Sequence, residues 1–345
     1  MSAEAPPFWW QRPDWRARAL APAAALYGLA AAHRLRRAPR RPVGAPVLCV
    51  GNFTVGGEGK TPVALALAAA AEAAGRRPGF LSRGHGGSLR RPHRVDPAGD
   101  SVRLVGDEPL LLARRAPTVV ARDRAAGARL LVAEGVDFIV MDDGFQSAAV
   151  HFDLAVIVVD ARRGLGNGRV LPAGPLRAPL LAQWPYVDAL VRMGTGTAAD
   201  TVVRQAARAA RPVHEARLVP RAAGWLAGRR VLAFAGIGNP DKVFATLEAC
   251  GATVAVRRAF ADHHPYTAEE LDDLAATAAA GGLDLVTTEK DMVRLTSGPA
   301  GHRAFAERVR TLAVEAQFDP PDAPAMLVAQ TLRAWREGRL RRPAR

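Results

Sequence analysis

The sequence predicts an α/β protein built on mostly parallel sheets, and three observations predict it. Strand-length apolar runs at Val47–Gly51, Thr118–Ala121, Phe138–Met141, Leu154–Val159 and Val187–Arg192 are separated by helical stretches. Such alternation argues for a parallel sheet covered by helices on both faces. The first run leads into a glycine-rich loop and then a strong helix former, Pro62–Ala74, stopped by Gly75. After a Pro/Gly/Arg-rich stretch, Gly194–Gly228, a second set begins at Arg230–Ala235. It continues with a helix near Lys242–Cys250, a strand near Thr253–Val256, a helix near Ala268–Ala280 and a strand at Asp284–Thr287. A final helix near Ala325–Glu337 is able to pack on either half.

A chain of 345 residues has room for two domains. The expected division is a helical segment at 1–42, a nucleotide-binding domain at 43–205 and a linker at 206–228 with an extended piece at Glu215–Val219. A second α/β domain at 229–322 and a C-terminal helix at 323–345 follow. The two cysteines, Cys49 and Cys250, suggest a reduced, cytoplasmic setting.

The net charge of +14, from 47 basic and 33 acidic residues, favours an anionic partner: phosphates, nucleic acid or acidic lipid. No zinc finger, helix-turn-helix signature or basic–aromatic interleaving is present, so no nucleic acid is expected. Nothing in the sequence implies an obligate protein partner.

At the start, Phe8, Trp9, Trp10 and Trp15 precede Arg12, Arg16, Arg18 and an apolar stretch from Ala19 to Ala32, interrupted by Pro22 and Gly28. Arg34, Arg36, Arg37, Arg40 and Arg41 follow. The stretch falls short of the roughly 20 apolar residues a bilayer span needs. Two readings stay open: a helix packed on its own domain, or one lying in a membrane surface with aromatics and arginines at the headgroups.

The loop Thr54-Val55-Gly56-Gly57-Glu58-Gly59-Lys60-Thr61 joins strand to helix and carries Gly-Lys-Thr. Glycines let the backbone turn several N–H groups inward. The helix start adds unpaired N–H groups and a positive dipole end. Lys60 is placed to reach the outer phosphates of a nucleoside triphosphate, and the Thr61 hydroxyl to hold Mg²⁺. The first glycine of the usual pattern is replaced here by Thr54. A plain glycine-rich turn has a similar composition, but the strand–loop–helix order and Gly-Lys-Thr together favour phosphate binding.

The run Phe138-Ile-Val-Met-Asp142-Asp143-Gly144 ends a buried strand in two acids at the carboxyl edge, where parallel sheets place ligands. Alternation along the strand lets their roles differ, one orienting Mg²⁺ and its waters and the other helping the incoming nucleophile; Asp142 is set down for the metal and Asp143 for the chemistry, with the exact division left open. Solvated acids in an Asp-Gly turn are the simpler alternative. Asp107-Glu108, after a strand-like Arg103–Val105, is expected at another sheet edge, where a capping turn is an equal reading. His263, in Asp262-His263-His264, suits an oriented base or a surface turn. Arg83, Arg122 and Arg124 follow strands and suit phosphate oxygens. Arg162 and Asn167 lie in an irregular basic loop suited to an anionic substrate. Thr288-Glu289-Lys290-Asp291 carries three charges in a row, and His33, His93 and His214 are read as surface residues.

The ordered set of motifs resembles the tetraacyldisaccharide 4'-kinases of lipid A biosynthesis. The set comprises Gly51–Pro62, Ser82–Gly87, Gly106–Pro109, Met141–Gln146, Gly164–Arg177, Gly236–Pro240, Phe260–Pro265 and Thr288–Asp291. The resemblance implies ATP- and Mg²⁺-dependent phosphorylation of the 4'-hydroxyl of a tetraacylated glucosamine disaccharide 1-phosphate, giving lipid IVA. It also implies two P-loop-type α/β/α domains joined by a short β linker. An N-terminal amphipathic helix would associate peripherally with the cytoplasmic face of the bacterial inner membrane, which favours the anchor reading of residues 1–42. It further implies that Asp107 is the catalytic aspartate acting with His263, that Lys60 and Thr61 contact phosphate and Mg²⁺, and that Asp142 and Asp143 are Walker-B-type acids. His85, Ser147 and Ala178 depart from the family's tyrosine, histidine and glutamate, which bears on details of substrate contact. The rival expectation is a membrane-associated P-loop switch that passes phosphate only to water.

Overall fold

The computed structural model describes residues 5–147 and 149–340. The described residues form thirteen strands in two sheets. They are β1 (Val47–Gly51), β2 (Pro78–Ser82), β3 (His93–Arg94), β4 (Thr118–Val120), β5 (Phe138–Asp142), β6 (Leu154–Asp160), β7 (Ala189–Met193), β8 (Val213–Pro220), β9 (Arg230–Ala235), β10 (Thr253–Ala259), β11 (Asp284–Thr288), β12 (Val309–Leu312) and β13 (Val314–Asp319). The larger sheet runs β13-β8-β7-β6-β1-β5-β2-β4-β3 and the smaller β10-β9-β11-β12. Among the described residues, antiparallel strand pairing is confined to the two ends of the larger sheet, β13 with β8 and β3 with β4. The fold is the mostly parallel α/β class the sequence predicts.

The centre of the larger sheet explains where ligands are able to go. β1 lies between β6 and β5, with Val50 in register with Asp142. Every residue of β1 is buried, so its apolar run is covered on both faces. One layer, with helix Lys60–Ala73, packs Val63, Leu67 and Phe80 against Leu327 and Val328 of the C-terminal helix Ala323–Leu340. The other packs Leu131, Ile139, Phe145 and Val202. Gly51 ends β1 where a Cβ would collide with the Cβ of Phe145, so the close approach of the two segments requires glycine.

Several expectations need correction. Arg103–Val105 belongs to a short helix, Val102–Val105, and Asp107 opens the helix Asp107–Ala113. Three residues are too few for periodicity to separate strand from helix, and Val105 packs with Val95, Leu110 and Val120. The Glu215–Val219 piece is extended, as expected, and forms part of β8, hydrogen-bonded between β7 and β13. β13, although within 229–322, therefore sits in the larger sheet. His214 is not a surface residue: at 8% exposure it is buried, and burial lowers its pKa. His93 is half-buried and bonds Asp100 at 2.7 Å.

The N-terminus also differs. Pro22 does not interrupt the apolar helix but starts it, in the first turn of Ala21–Arg37, where its missing N–H costs nothing. Phe8 and Trp9 are buried against Ala17, Val55 and Leu171, so they face the protein. Trp15, Leu26 and Leu29 remain about 70% exposed, at 71%, 71% and 70%.

Candidate active site

The phosphate loop is built as its sequence requires. Gly59 has φ +88°, a left-handed conformation at the N-cap that lets the loop turn directly into helix Lys60–Ala73. Lys60 is buried at 7% exposure, with Nζ 3.0 Å from the Gly56 carbonyl and 3.8 Å from Asp143 Oδ1. Thr54, in the place of the usual glycine, donates its hydroxyl to Glu58. Glu58 is also buried, and burial pushes its carboxyl up to about 7 against the pull of Lys60 and Thr54.

The loop is strapped from outside. Arg177 Nε donates to the Thr54 carbonyl at 2.9 Å, and the Val55 N–H donates to the Pro175 carbonyl at 2.9 Å. The segment bearing Arg177 is held by the N-terminus: the Asn167 N–H donates to the Trp9 carbonyl at 2.7 Å, and Trp9 Nε1 to the Pro172 carbonyl at 3.0 Å. Asn167 itself donates from Nδ2 to the carbonyls of Ala173 and Phe8 at 2.9 and 3.4 Å, so its amide holds the loop together.

The two acids have different surroundings, Asp142 closing β5 and Asp143 lying just past its end. Asp143 takes a left-handed φ of +48° and receives Arg177 Nη1 at 2.9 and 3.0 Å. Burial opposes its charge, but Lys60 and Arg177 outweigh it and hold the carboxyl well below the usual range. Arg124 Nη2 donates to the Asp143 carbonyl at 3.1 Å. Asp142 is 1% exposed, and neither carboxylate oxygen has a hydrogen-bond partner. Burial first, then the charges of Glu108 and Asp143, push it up to about 7. A buried carboxylate without donors is costly and suits a cation. Among the described residues no group of three His, Cys, Asp or Glu is placed to hold a metal ion. Mg²⁺ does not require one, since it commonly takes one or two carboxylates with phosphate oxygens and water.

The smaller sheet presents its own carboxyl edge to this site. His263, on the loop after β10, is about one-third exposed, and its Nδ1 lies 2.9 Å from Asp107 Oδ2. Asp107, 2% exposed, also accepts from Arg294 Nε at 3.0 Å and from Nη2. Burial opposes its ionisation, but the His263 hydrogen bond and the Arg294 charge hold its carboxyl far below the usual range. The Asp107 bond raises the His263 pKa more than burial lowers it. Glu108 pairs with Lys290 at 2.6 Å; the lysine's charge lowers the Glu108 pKa, and Glu108 with Asp107 raises that of Lys290 against burial.

Local sequence reading missed Arg294 and Arg177 as partners of these carboxylates. Arg294 lies three residues past Asp291 on helix Glu289–Thr296, and that i,i+3 spacing on one helix face was the available signal. Arg83, Arg122 and Arg162 are exposed.

A strand-borne phosphate loop, a desolvated carboxylate beside it and a histidine–aspartate pair at the facing sheet edge form a constellation suited to moving a phosphoryl group from a nucleotide to a hydroxyl. The class is that of a P-loop kinase. The family model described as tetraacyldisaccharide-1-P 4'-kinase matches residues 16–332. Proteins named tetraacyldisaccharide 4'-kinase from Chelativorans sp. (strain BNC1) and Mesorhizobium japonicum are 59% and 56% identical, covering 99% of this chain and 99% and 100% of theirs. A crystal structure of LpxK from Aquifex aeolicus in complex with ATP is 25% identical with a TM-score of 0.70, over 91% of this chain and 99% of that one. The chain belongs to the tetraacyldisaccharide 4'-kinase family.

Proposed function

We propose that this protein transfers the γ-phosphoryl group of ATP to the 4'-hydroxyl of a tetraacylated glucosamine disaccharide 1-phosphate, giving lipid IVA. The observation that supports the reading is the Asp107–His263 pair, which joins the two halves of a chain of this family that also carries the Gly56–Thr61 loop and the donorless Asp142. The inward loop N–H groups and Lys60 receive the phosphates, and Lys60 gains most as charge builds on the leaving group. Asp142 and the Thr61 hydroxyl would hold Mg²⁺, which would supply positive charge against the transferring phosphate. Asp107 holds His263 through Nδ1, which leaves Nε2 to accept the sugar's proton. Asp143, fixed by Arg177 and Lys60, keeps the loop and the reacting phosphate aligned. Exposed Arg83, Arg122 and Arg162 suit the anionic parts of the glycolipid.

Peripheral docking on the cytoplasmic face of the inner membrane follows from the same substrate. Among the described residues no helix is long and apolar enough to cross a membrane. Exposed Trp15, Leu26 and Leu29, with Arg34, Arg36 and Arg37 in the last helical turn, suit an interfacial position. Leu181, 82% exposed, extends this apolar surface from helix Leu180–Gln183, which packs against Ala21–Arg37.

The test is incubation with labelled ATP, Mg²⁺ and the purified disaccharide lipid, followed by location of the label. Label on the 4'-oxygen is expected; label released only as inorganic phosphate would favour the nucleotide switch.

A further inference from the structure

Four groups form a closed ring around the proposed proton acceptor. His263 Nδ1 meets Asp107 Oδ2 at 2.9 Å, and Asp107 Oδ2 receives Arg294 Nε at 3.0 Å. Arg294 Nη1 donates to the Gly236 carbonyl at 2.6 Å, and that carbonyl also accepts the His263 N–H at 3.1 Å. The ring fixes both ends of His263, whose φ of +60° is unusual for a residue with a Cβ. Arg294 has no freedom to leave. It is 7% exposed, and Nη1 also bonds Asp291 Oδ1 at 2.7 Å. Asp291 is itself wholly buried, and the Tyr266 hydroxyl donates to it at 2.8 Å.

A buried carboxylate paired with one imidazole alone favours the imidazolium form, which has no lone pair to offer a sugar hydroxyl. A second, permanent cation on the same oxygen shares its negative charge and weakens that preference. We propose that Arg294 is a positioning residue for phosphoryl transfer: it aims the Asp107 carboxylate at His263 and sets the pH at which His263 is free to take a proton. This inference rests on the reading of His263 as the proton acceptor.

The electrostatics agree in direction. Asp107 raises the His263 pKa through the hydrogen bond and through its charge, Asp262 raises it from 3.8 Å, and Arg294 lowers it. The other charged groups nearby are the Glu108–Lys290 pair, whose opposite charges largely offset one another. His85 stands with its ring centroid 6.0 Å from that of His263.

The experiment compares wild type, R294Q, R294K and H263A in single-turnover phosphorylation of the lipid from pH 5 to 9, with thermal melts as a check on folding. In R294Q the rate falls, and its acidic limb moves to higher pH by on the order of one unit, as expected for loss of a neighbouring cation. R294K keeps the charge and the position of the limb. It loses roughly tenfold in rate, because an ammonium cannot bridge Asp107 and Gly236 as the planar guanidinium does. An unshifted limb in folded R294Q overturns the proposal. If R294Q does not fold, R294K decides: a wild-type rate overturns it. H263A separates the two layers. A wild-type rate in H263A removes the proton-acceptor reading itself. A crippled H263A beside an unshifted R294Q removes only the role of Arg294.

Discussion

His263 Nδ1 lies 2.9 Å from Asp107 Oδ2, although 156 residues of chain separate the two. One partner opens a helix beside the larger sheet and the other follows a strand of the smaller one. The contact therefore joins the two halves of the molecule. D107A and H263A are each expected to lower kcat by roughly 10²–10⁴-fold, the range for a positioned acid–base group, with little change in ATP binding. Their combination should be far less than additive, because the pair acts as a unit. The measurement is a double-mutant cycle at saturating ATP and lipid; fully additive losses would leave His263 as an independent substrate contact.

Lys60 is buried between the loop it serves and Asp143. K60A should cost roughly 10²–10³-fold in kcat, as for loss of one preorganised donor to developing charge. Steady-state kinetics decide it, and a near-normal kcat would remove Lys60 from the chemistry.

Glu58 gives the phosphate loop a pH signature. Burial raises its folded-state pKa from 4.5 to about 7. Between those values the folded protein holds a proton that the unfolded chain has lost, so its contribution to stability falls as pH rises. His263, also raised, adds to the same trend: its stabilisation is complete below its ordinary pKa of 6.5 and is lost as pH rises through the folded value. In nucleotide-free protein the Tm should therefore decline from pH 5 to 8, and E58Q should flatten part of that decline. Identical slopes for wild type and E58Q would show that Glu58 is ionised throughout.

Membrane docking is best tested without deleting anything. L26E and L29E place charge on side chains that are 71% and 70% exposed. The double variant should shift the protein from floated anionic vesicles to the soluble fraction and leave its Tm unchanged. Added salt should also weaken the wild-type protein's binding. Unaltered flotation under both conditions would place the contact surface elsewhere.

The parts legible in the sequence were those written locally. Lys60 and Thr61 sit in a strand–loop–helix segment whose glycines reveal its shape, and Asp142 ends an uninterrupted apolar strand. Arg177 and Arg294 were not legible as partners, since what they touch lies 34 and 187 residues away and depends on sheet order. The three residues before Gly106, Arg103–Val105, fitted strand and helix equally, so Asp107 was expected at a sheet edge and not at a helix start. Phe8 and Trp9 looked like interfacial aromatics because composition does not reveal which side of a segment faces its own protein. The family resemblance supplied the Asp107–His263 pairing, which local reading left open.

The strap from Trp9 through Asn167 and Arg177 to Thr54 bears on how this enzyme is simplified for study. Residues 8 and 9 are foundations of the phosphate loop as much as neighbours of the exposed apolar helix: they pack on Val55 and brace the loop that carries Arg177. A chain shortened to begin at Trp15 would keep its exposed apolar surface while loosening the grip on ATP. Poor nucleotide affinity in such a protein would reflect a missing brace, and would not be evidence that lipid must arrive before ATP.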